Sequence, residues 1–260
     1  MERFFKKIEK VRKEEILWNV PEQKQGLIAV VGGNSQNFRT SVKVSEFLIA
    51  NYPIREVDLV LPDALEKKLP PLENTKFLTS TESGSFADGD ELTRVLNLAD
   101  FNLLVGDFSK NSVTAKALAD AVKKAEKPLM MTRDAVDLLA ENQPERWLMN
   151  DNVIIMATMA QMVKLLRAAY YPKMLTLTQP LIQVAEALHK FTLSYPVSLV
   201  VLHDEQILIV KSGEVQVLAL EKTNFSPLTL WGGEAAAKIA ALNLFNPGNF
   251  AEATAVALAD

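Results

Sequence analysis

Cysteine is absent from this 260-residue chain, and histidine occurs only as His189 and His203. Without thiols there are no disulfide bonds, no thiolate catalysis, and no zinc or iron–sulfur sites built from cysteine. Two histidines are too few for a histidine-rich metal site, so we assign no metal ligands. The lack of cysteine also fits a reducing compartment.

Long apolar runs and an excess of positive charge are lacking as well. The charged N-terminus is not followed by the apolar core of a secretory signal, and no run approaches the roughly 20 apolar residues that a membrane-spanning helix needs. The formal net charge is −4, whereas a nucleic-acid partner requires a basic face. We therefore expect a cytoplasmic protein that binds neither membranes nor nucleic acid.

What the chain does contain is an ordinary globular composition, 48% hydrophobic and 23% charged. No repeat or flexible linker divides it, so residues 21–260 are predicted to form one domain. Residues 2–15 show helical spacing of apolar side chains among lysines, arginines and glutamates, which predicts an amphipathic helix within an N-terminal arm over residues 1–20. Its glutamates argue against a membrane-surface helix, so we expect the arm to pack against the body or a second subunit of a homo-oligomer.

Short apolar runs alternate with helical patterns through most of the chain. This alternation predicts βαβ units and a mostly parallel sheet covered on both faces. Near the C-terminus, two apolar runs flank Ser212-Gly213, which is a hairpin signal and predicts antiparallel strands at that edge. The predicted strands span residues 26–31, 57–61, 76–79, 101–105, 128–131, 153–156, 197–202, 206–211 and 214–219.

Candidate ligand-binding residues follow the predicted strands, because ligands of open parallel sheets bind beyond the carboxyl ends of the strands. For several of them a purely structural role stays open. The pair Gly32-Gly33 also fits a tight turn, Asp134 fits a helix N-cap, and His203 fits a hairpin edge without a function. The candidates are Gly32, Gly33, Asn34, Gly106, Asp107, Asp134, Thr158, His203 and Asp204.

A further glycine pair, Gly232-Gly233, precedes Glu234 and an alanine-rich helical segment. Free N–H groups and the positive end of a helix dipole attract anions, and glycine would let a phosphate approach the backbone. An ordinary helix cap with Glu234 in the first turn explains the same residues. The local sequence leaves both readings open.

The order of these pieces resembles the ribokinase-like superfamily, and within it the NAD(P)H-hydrate dehydratases that use ADP or ATP. The Gly-Thr-Gly-Asp motif of that family corresponds here to Trp231-Gly232-Gly233-Glu234. Its Gly-Pro-Gly corresponds to Gly106-Asp107-Phe108, and its Asp-Ala-Asp-Ala-Leu to residues 132–136, of which Asp134 is retained. Its Leu-Lys-Gly corresponds to Leu202-His203-Asp204.

The resemblance implies an α/β fold, a ribokinase-like three-layer sandwich with a mostly parallel central sheet and antiparallel strands near the C-terminal edge. It implies that ADP or ATP, with or without Mg²⁺, drives the removal of water from a hydrated nicotinamide cofactor, with Glu234 as the catalytic base. It places nucleotide at Gly232, Gly233, His203 and Asp204. It places the substrate at Gly32, Gly33, Asn34, Gly106, Asp107, Asp134 and Thr158.

The departures from the family pattern keep two other functions open. Glu234 is one methylene longer than aspartate, and Trp231 replaces a small residue. These differences leave open that the dehydratase activity is weakened or lost, and that the chain serves as a non-catalytic binding or regulatory protein. A small-molecule kinase is the third reading. It would need Mg²⁺, which Asp107, Asp134 and Glu234 would have to hold.

Overall fold

The buried apolar runs pair side by side into a single sheet in the structure, a computed structural model that describes residues 4–70, 73–222 and 232–259. Among these residues the sheet has ten strands in the order β1-β10-β9-β8-β7-β6-β5-β2-β3-β4. The strands are β1 Phe5–Lys7, β2 Gln25–Gly32, β3 Ile54–Pro62, β4 Thr75–Leu78, β5 Phe101–Gly106, β6 Leu129–Met131, β7 Val153–Thr158, β8 Ser198–His203, β9 Gln206–Lys211 and β10 Glu214–Ala219.

Helices cover both faces of the sheet. Strands β2 to β8 pair in parallel, and β9 runs antiparallel to both β8 and β10, so the predicted fold class is confirmed. The described helices are α1 Lys13–Leu17, α2 Arg39–Asn51, α3 Gly89–Leu98, α4 Ser112–Lys124, α5 Asp134–Ala140, α6 Pro144–Trp147, α7 Met159–Ala168, α8 Leu181–Ser194, α9 Glu234–Phe245 and α10 Phe250–Ala259.

Each helical layer encloses its own apolar core. Helices α1, α2, α9 and α10 pack on one face, and α3 to α8 pack on the other. Strand β5 is buried along its whole length between the two layers. Of the helices that the structure describes, none is long and apolar enough to cross a bilayer.

The predicted helix over residues 2–15 is wrong in its first half. Residues Phe5–Lys7 form β1, which pairs in parallel with β10, and the helix spans only Lys13–Leu17. The ring of Phe4 stacks on His189 with 4.1 Å between centroids, and the Ile8 N–H donates to the Val217 carbonyl at 2.8 Å. The free edge of β10 thus overrides a local helical pattern, as tertiary context often does. The homo-oligomer stays a prediction, because these apolar residues pack within their own chain.

A buried ion pair joins β3 to the edge strand β4. The Asp58 side chain is 2% exposed, and its carboxylate pairs with Lys76, whose side chain is 40% exposed. We expect Lys76→Met to lower the free energy of unfolding by about 2 kcal/mol, because a buried carboxylate loses its charge partner. Urea denaturation measures this loss.

The matched control for that substitution is Lys124→Met. Lys124 pairs with Asp90 at 2.9 Å, but the two side chains are 54% and 79% exposed. An exposed pair contributes little, so this variant should leave the free energy of unfolding close to that of the wild type. Equal losses in the two variants would contradict the prediction.

Candidate functional site

The turn after β2 brings two strand ends into close contact. Gly32 pairs with Gly106 next to a bulge, and the Gly33 N–H donates to the Gly106 carbonyl at 2.9 Å. A Cβ at Gly32 would lie 2.6 Å from both the Gly106 carbonyl oxygen and the Ser41 hydroxyl. The absence of a side chain at Gly32 therefore permits this approach, as a tight turn requires.

Asn34 connects this turn to the loop after β5. Its Nδ2 donates to the Asp107 carbonyl at 2.6 Å. Its Oδ1 accepts from the backbone N–H groups of Gln36 at 2.8 Å and Asn37 at 3.1 Å. The amide of Asn34 is thus used to hold two loops in place.

Asp134 is the first residue of α5 and not its N-cap, so the expectation of an N-cap is wrong. Its carboxylate accepts hydrogen bonds from the backbone N–H groups of Asp107 at 2.8 Å and Phe108 at 3.1 Å. It can do so because Gly106, with a φ of +91°, leaves room for it. Burial raises the pKa of the Asp134 carboxyl; the charge of Asp107 raises it too, while these N–H groups and Arg133 lower it.

Arg133, which precedes Asp134, belongs to the same cluster of polar side chains, although the candidate residues predicted from the sequence did not include it. Its Nη2 donates to the Asp107 carboxylate at 2.9 Å, and the two side chains are 13% and 18% exposed. Both residues have left-handed backbones, with φ of 58° and 59°. The signal in the sequence was the arginine itself, which stands where the resembled family has alanine.

Thr158 forms a capping box at the start of α7 with Gln161. The Gln161 side chain then reaches across to the Arg133 carbonyl at 2.7 Å and to the Asp137 carboxylate at 2.8 Å. Gln161 therefore connects the end of β7 to the end of β6.

The two glycines before α9 differ in the space around them. Gly233 is the N-cap with a φ of +79°, and a Cβ there would lie 2.7 Å from Val44 of α2. Among the described residues, no atom lies within 4 Å of the position that a Cβ at Gly232 would take. The Glu234 carboxylate lies 3.6 Å from the Lys238 ammonium, one turn along the helix. Trp231 lies outside the described residues.

His203 ends β8 with a side chain that is only 2% exposed. Its Nε2 lies 3.5 Å from the Asp204 carboxylate without hydrogen-bond geometry. Gln206, which faces His203 across the β8–β9 pair, has a buried Oε1 that no donor reaches among the described residues. The end of β8 thus carries polar atoms whose hydrogen-bonding capacity is unused.

Most of the predicted substrate-side residues form one hydrogen-bonded network across the ends of β2, β5, β6 and β7. In the described part of the chain, no hydrogen bond or ion pair joins Glu234 or His203 to it. Nor does that part contain a group of three histidine, aspartate or glutamate side chains placed to hold a metal. The network contains Gly33, Asn34, Gly106, Asp107, Arg133, Asp134, Thr158 and Gln161.

Comparison with solved structures identifies the fold as ribokinase-like. A ribokinase-like superfamily protein of Enterococcus faecalis has a TM-score of 0.65 at 14% identity, covering 99% of this chain and 87% of the other. An ADP/ATP-dependent NAD(P)H-hydrate dehydratase of Bacillus subtilis, co-crystallised with ATP and Mg²⁺, gives 0.60 at 13%, covering 94% and 84%. A hydroxyethylthiazole kinase of Pyrococcus horikoshii gives 0.58 at 14%, covering 94% and 80%.

At such low identity the likeness establishes the fold and not the activity. No family model and no curated protein matches the sequence.

Proposed function

We propose that this protein binds ADP or ATP at the N-terminus of α9 and slowly catalyses the nucleotide-driven removal of water from hydrated NAD(P)H. The observation that carries this proposal is that no atom of the described residues lies within 4 Å of a Cβ placed at Gly232, beside an N-cap glycine that starts a 12-residue helix. The ADP/ATP-dependent NAD(P)H-hydrate dehydratase of the same fold supports it.

The start of α9 suits a phosphate group. The first N–H groups of a helix have no partner within the helix, and its dipole places positive potential there. The residues that follow Glu234 are Ala235, Ala236 and Ala237, whose small side chains are buried against the body of the protein. A phosphate group can therefore approach the backbone at Gly232 without displacing a side chain of the described residues.

Glu234 is the base in this proposal. It takes the proton of the substrate hydroxyl while the terminal phosphoryl group of the nucleotide is transferred to that oxygen. The phosphate then leaves with the C–O bonding electrons, the neighbouring C–H bond supplies the pair for the new double bond, and its proton passes to water. The nucleotide product is ADP from ATP, or AMP from ADP. The rate is low because Glu234 is longer than aspartate and lies within 3.6 Å of Lys238.

Mg²⁺ does not fit the three carboxylates that the sequence offered for it. Asp134 is bound to two backbone N–H groups, Asp107 to Arg133, and Glu234 lies beside Lys238. We therefore derive no step through a metal at these residues. Because a small-molecule kinase would need Mg²⁺ at these carboxylates, it is the weakest of the three proposed functions.

A non-catalytic nucleotide-binding protein is the second candidate. One specific observation favours it: the Asp107 carboxylate binds Arg133, and the Asp134 carboxylate binds the Asp107 N–H. Polar groups that a substrate would otherwise meet are thus occupied. In that case nucleotide binds at α9 and no hydrate is turned over.

Substitution of Gly232 tests the nucleotide site without damaging the fold. An aspartate at the start of a helix complements the dipole, so Gly232→Asp should leave the melting temperature unchanged or slightly higher. Its negative charge should nevertheless weaken ADP binding at least about tenfold, since it lies where phosphate is proposed. Isothermal titration calorimetry measures the affinity.

The neutral isostere Gly232→Asn is the control for that experiment. It adds the same bulk without the charge, so it should bind ADP more tightly than the aspartate variant. Wild-type affinity in the aspartate variant, or no ADP binding by the wild-type protein, would overturn the proposed site.

A further inference from the structure

The guanidinium of Arg133 has more donors than acceptors around it. Its Nε and Nη1 are buried and have no partner among residues 4–70, 73–222 and 232–259. Nε carries one N–H and Nη1 two, so three of the five donors are unmatched. Buried donors without acceptors destabilise a protein, and they are rare enough to require an explanation.

The position of Arg133 points to a ligand. It lies two residues after β6, beside the end of β5, at the edge of the sheet where ligands of this architecture bind. The Gln161 amide holds its carbonyl at 2.7 Å, so the main chain is fixed and the side chain is the part that can move. A ligand oxygen at the strand ends would satisfy the unmatched donors while Nη2 keeps its bond to Asp107.

The charges nearby select the kind of acceptor. Asp107 already neutralises Arg133 at 2.9 Å, and Asp134 is a second carboxyl in the same network. Asp137, also close by, is itself paired with Lys164 at 3.4 Å. A ligand carboxylate would add a further negative charge beside Asp107, whereas a neutral carbonyl oxygen would accept the same hydrogen bonds without it.

We infer that Arg133 is a specificity-determining residue that binds the neutral carboxamide oxygen of the ligand, and that Asp107 excludes the corresponding carboxylate. The inference rests on the proposed function, because a nicotinamide group supplies such a carboxamide. The inference goes beyond the proposed function because it names Arg133 as the residue that binds the carboxamide and Asp107 as the residue that excludes a carboxylate.

Nicotinamide and nicotinate are the matched probes, because they differ in this group alone. Their dissociation constants are measured by NMR titration with the wild-type protein and three variants. The wild type should bind nicotinamide at least about tenfold more tightly than nicotinate. Asp107→Asn keeps the shape and suits the left-handed backbone, so it should fold, and it should abolish or reverse this preference.

Removal of the guanidinium should weaken nicotinamide binding. Arg133→Met is the direct variant, and Arg133→Lys, which keeps a cation beside Asp107, replaces it if the methionine variant unfolds. Either should weaken nicotinamide binding at least about tenfold through the lost donors. The exposed Arg146 on α6 makes Arg146→Met the control for charge, with wild-type affinity.

ADP binding, measured on the same variants, separates this inference from the proposed function. If ADP binds every variant equally while the nicotinamide preference follows Arg133 and Asp107, both stand. Undetectable nicotinamide binding by the wild type, or a preference unchanged in Asp107→Asn, overturns the role of Arg133 and leaves the nucleotide site intact. If the wild-type protein does not bind ADP, the nucleotide site is refuted instead.

Discussion

Replacement of Glu234 by aspartate is expected to raise the rate of NAD(P)H-hydrate dehydration by about 10- to 100-fold, because misplacement of a catalytic group by about 1 Å can cost about a hundredfold. The shorter side chain draws the carboxylate back toward the start of α9. It also separates it from Lys238, whose ammonium now lies 3.6 Å from Glu234. Hydrate consumption with ADP or ATP, followed by absorbance, measures the rate.

Two glutamine substitutions complete that experiment. Glu234→Gln removes the proton acceptor and should reduce the rate to the uncatalysed level. Glu252 lies in the first turn of α10 and is exposed, so Glu252→Gln makes the same chemical change without effect on turnover. Identical rates in the aspartate, glutamine and wild-type proteins would show that Glu234 is not the base, and would favour the non-catalytic protein.

The regular part of the fold was readable from the sequence because burial imposes a simple pattern there. A strand buried on both faces, such as β5, must be a short apolar run, and Ser212-Gly213 fits a hairpin turn that needs two left-handed residues. The N-terminal strand was not readable. Its three residues gain a partner in β10 that lies more than 200 positions away, and no local pattern records that.

The candidate site was predictable by position but not by contact. The rule that ligands gather at the carboxyl ends of strands located Gly106, Asp107 and Asp134 together, and the structure joins them. The rule does not say that both carboxylate oxygens of Asp134 accept hydrogen bonds from backbone N–H groups. Nor does it say that Arg133, in the same loop after β6, is buried and paired. A single arginine in a loop usually marks solvent exposure, and the burial of this one depends on Gln161 and Asp107 from other elements.

Substitution of Gly106 by alanine should lower the free energy of unfolding by about 4 kcal/mol, among the larger effects of single substitutions. The residue has a φ of +91°, which strains any side chain. A Cβ there would lie 1.8 Å from Asp134 Oδ1 and 3.0 Å from its Cγ. The carboxylate cannot swing aside freely, because it would leave the N–H groups of Asp107 and Phe108 without an acceptor. Chemical denaturation measures the loss.

Two further variants separate the clash from the backbone strain. Gly232→Ala adds the same methyl group where no atom of the described residues lies within 4 Å and the backbone is not left-handed, so it should stay within about 0.5 kcal/mol of wild type. In the double variant Gly106→Ala/Asp134→Ala the clash is gone, and its loss should fall short of the sum of the single losses by about 2 kcal/mol. Additive losses would mean that strain alone accounts for the effect. The Asp134 carboxylate would then not be the group that makes glycine necessary at the end of β5.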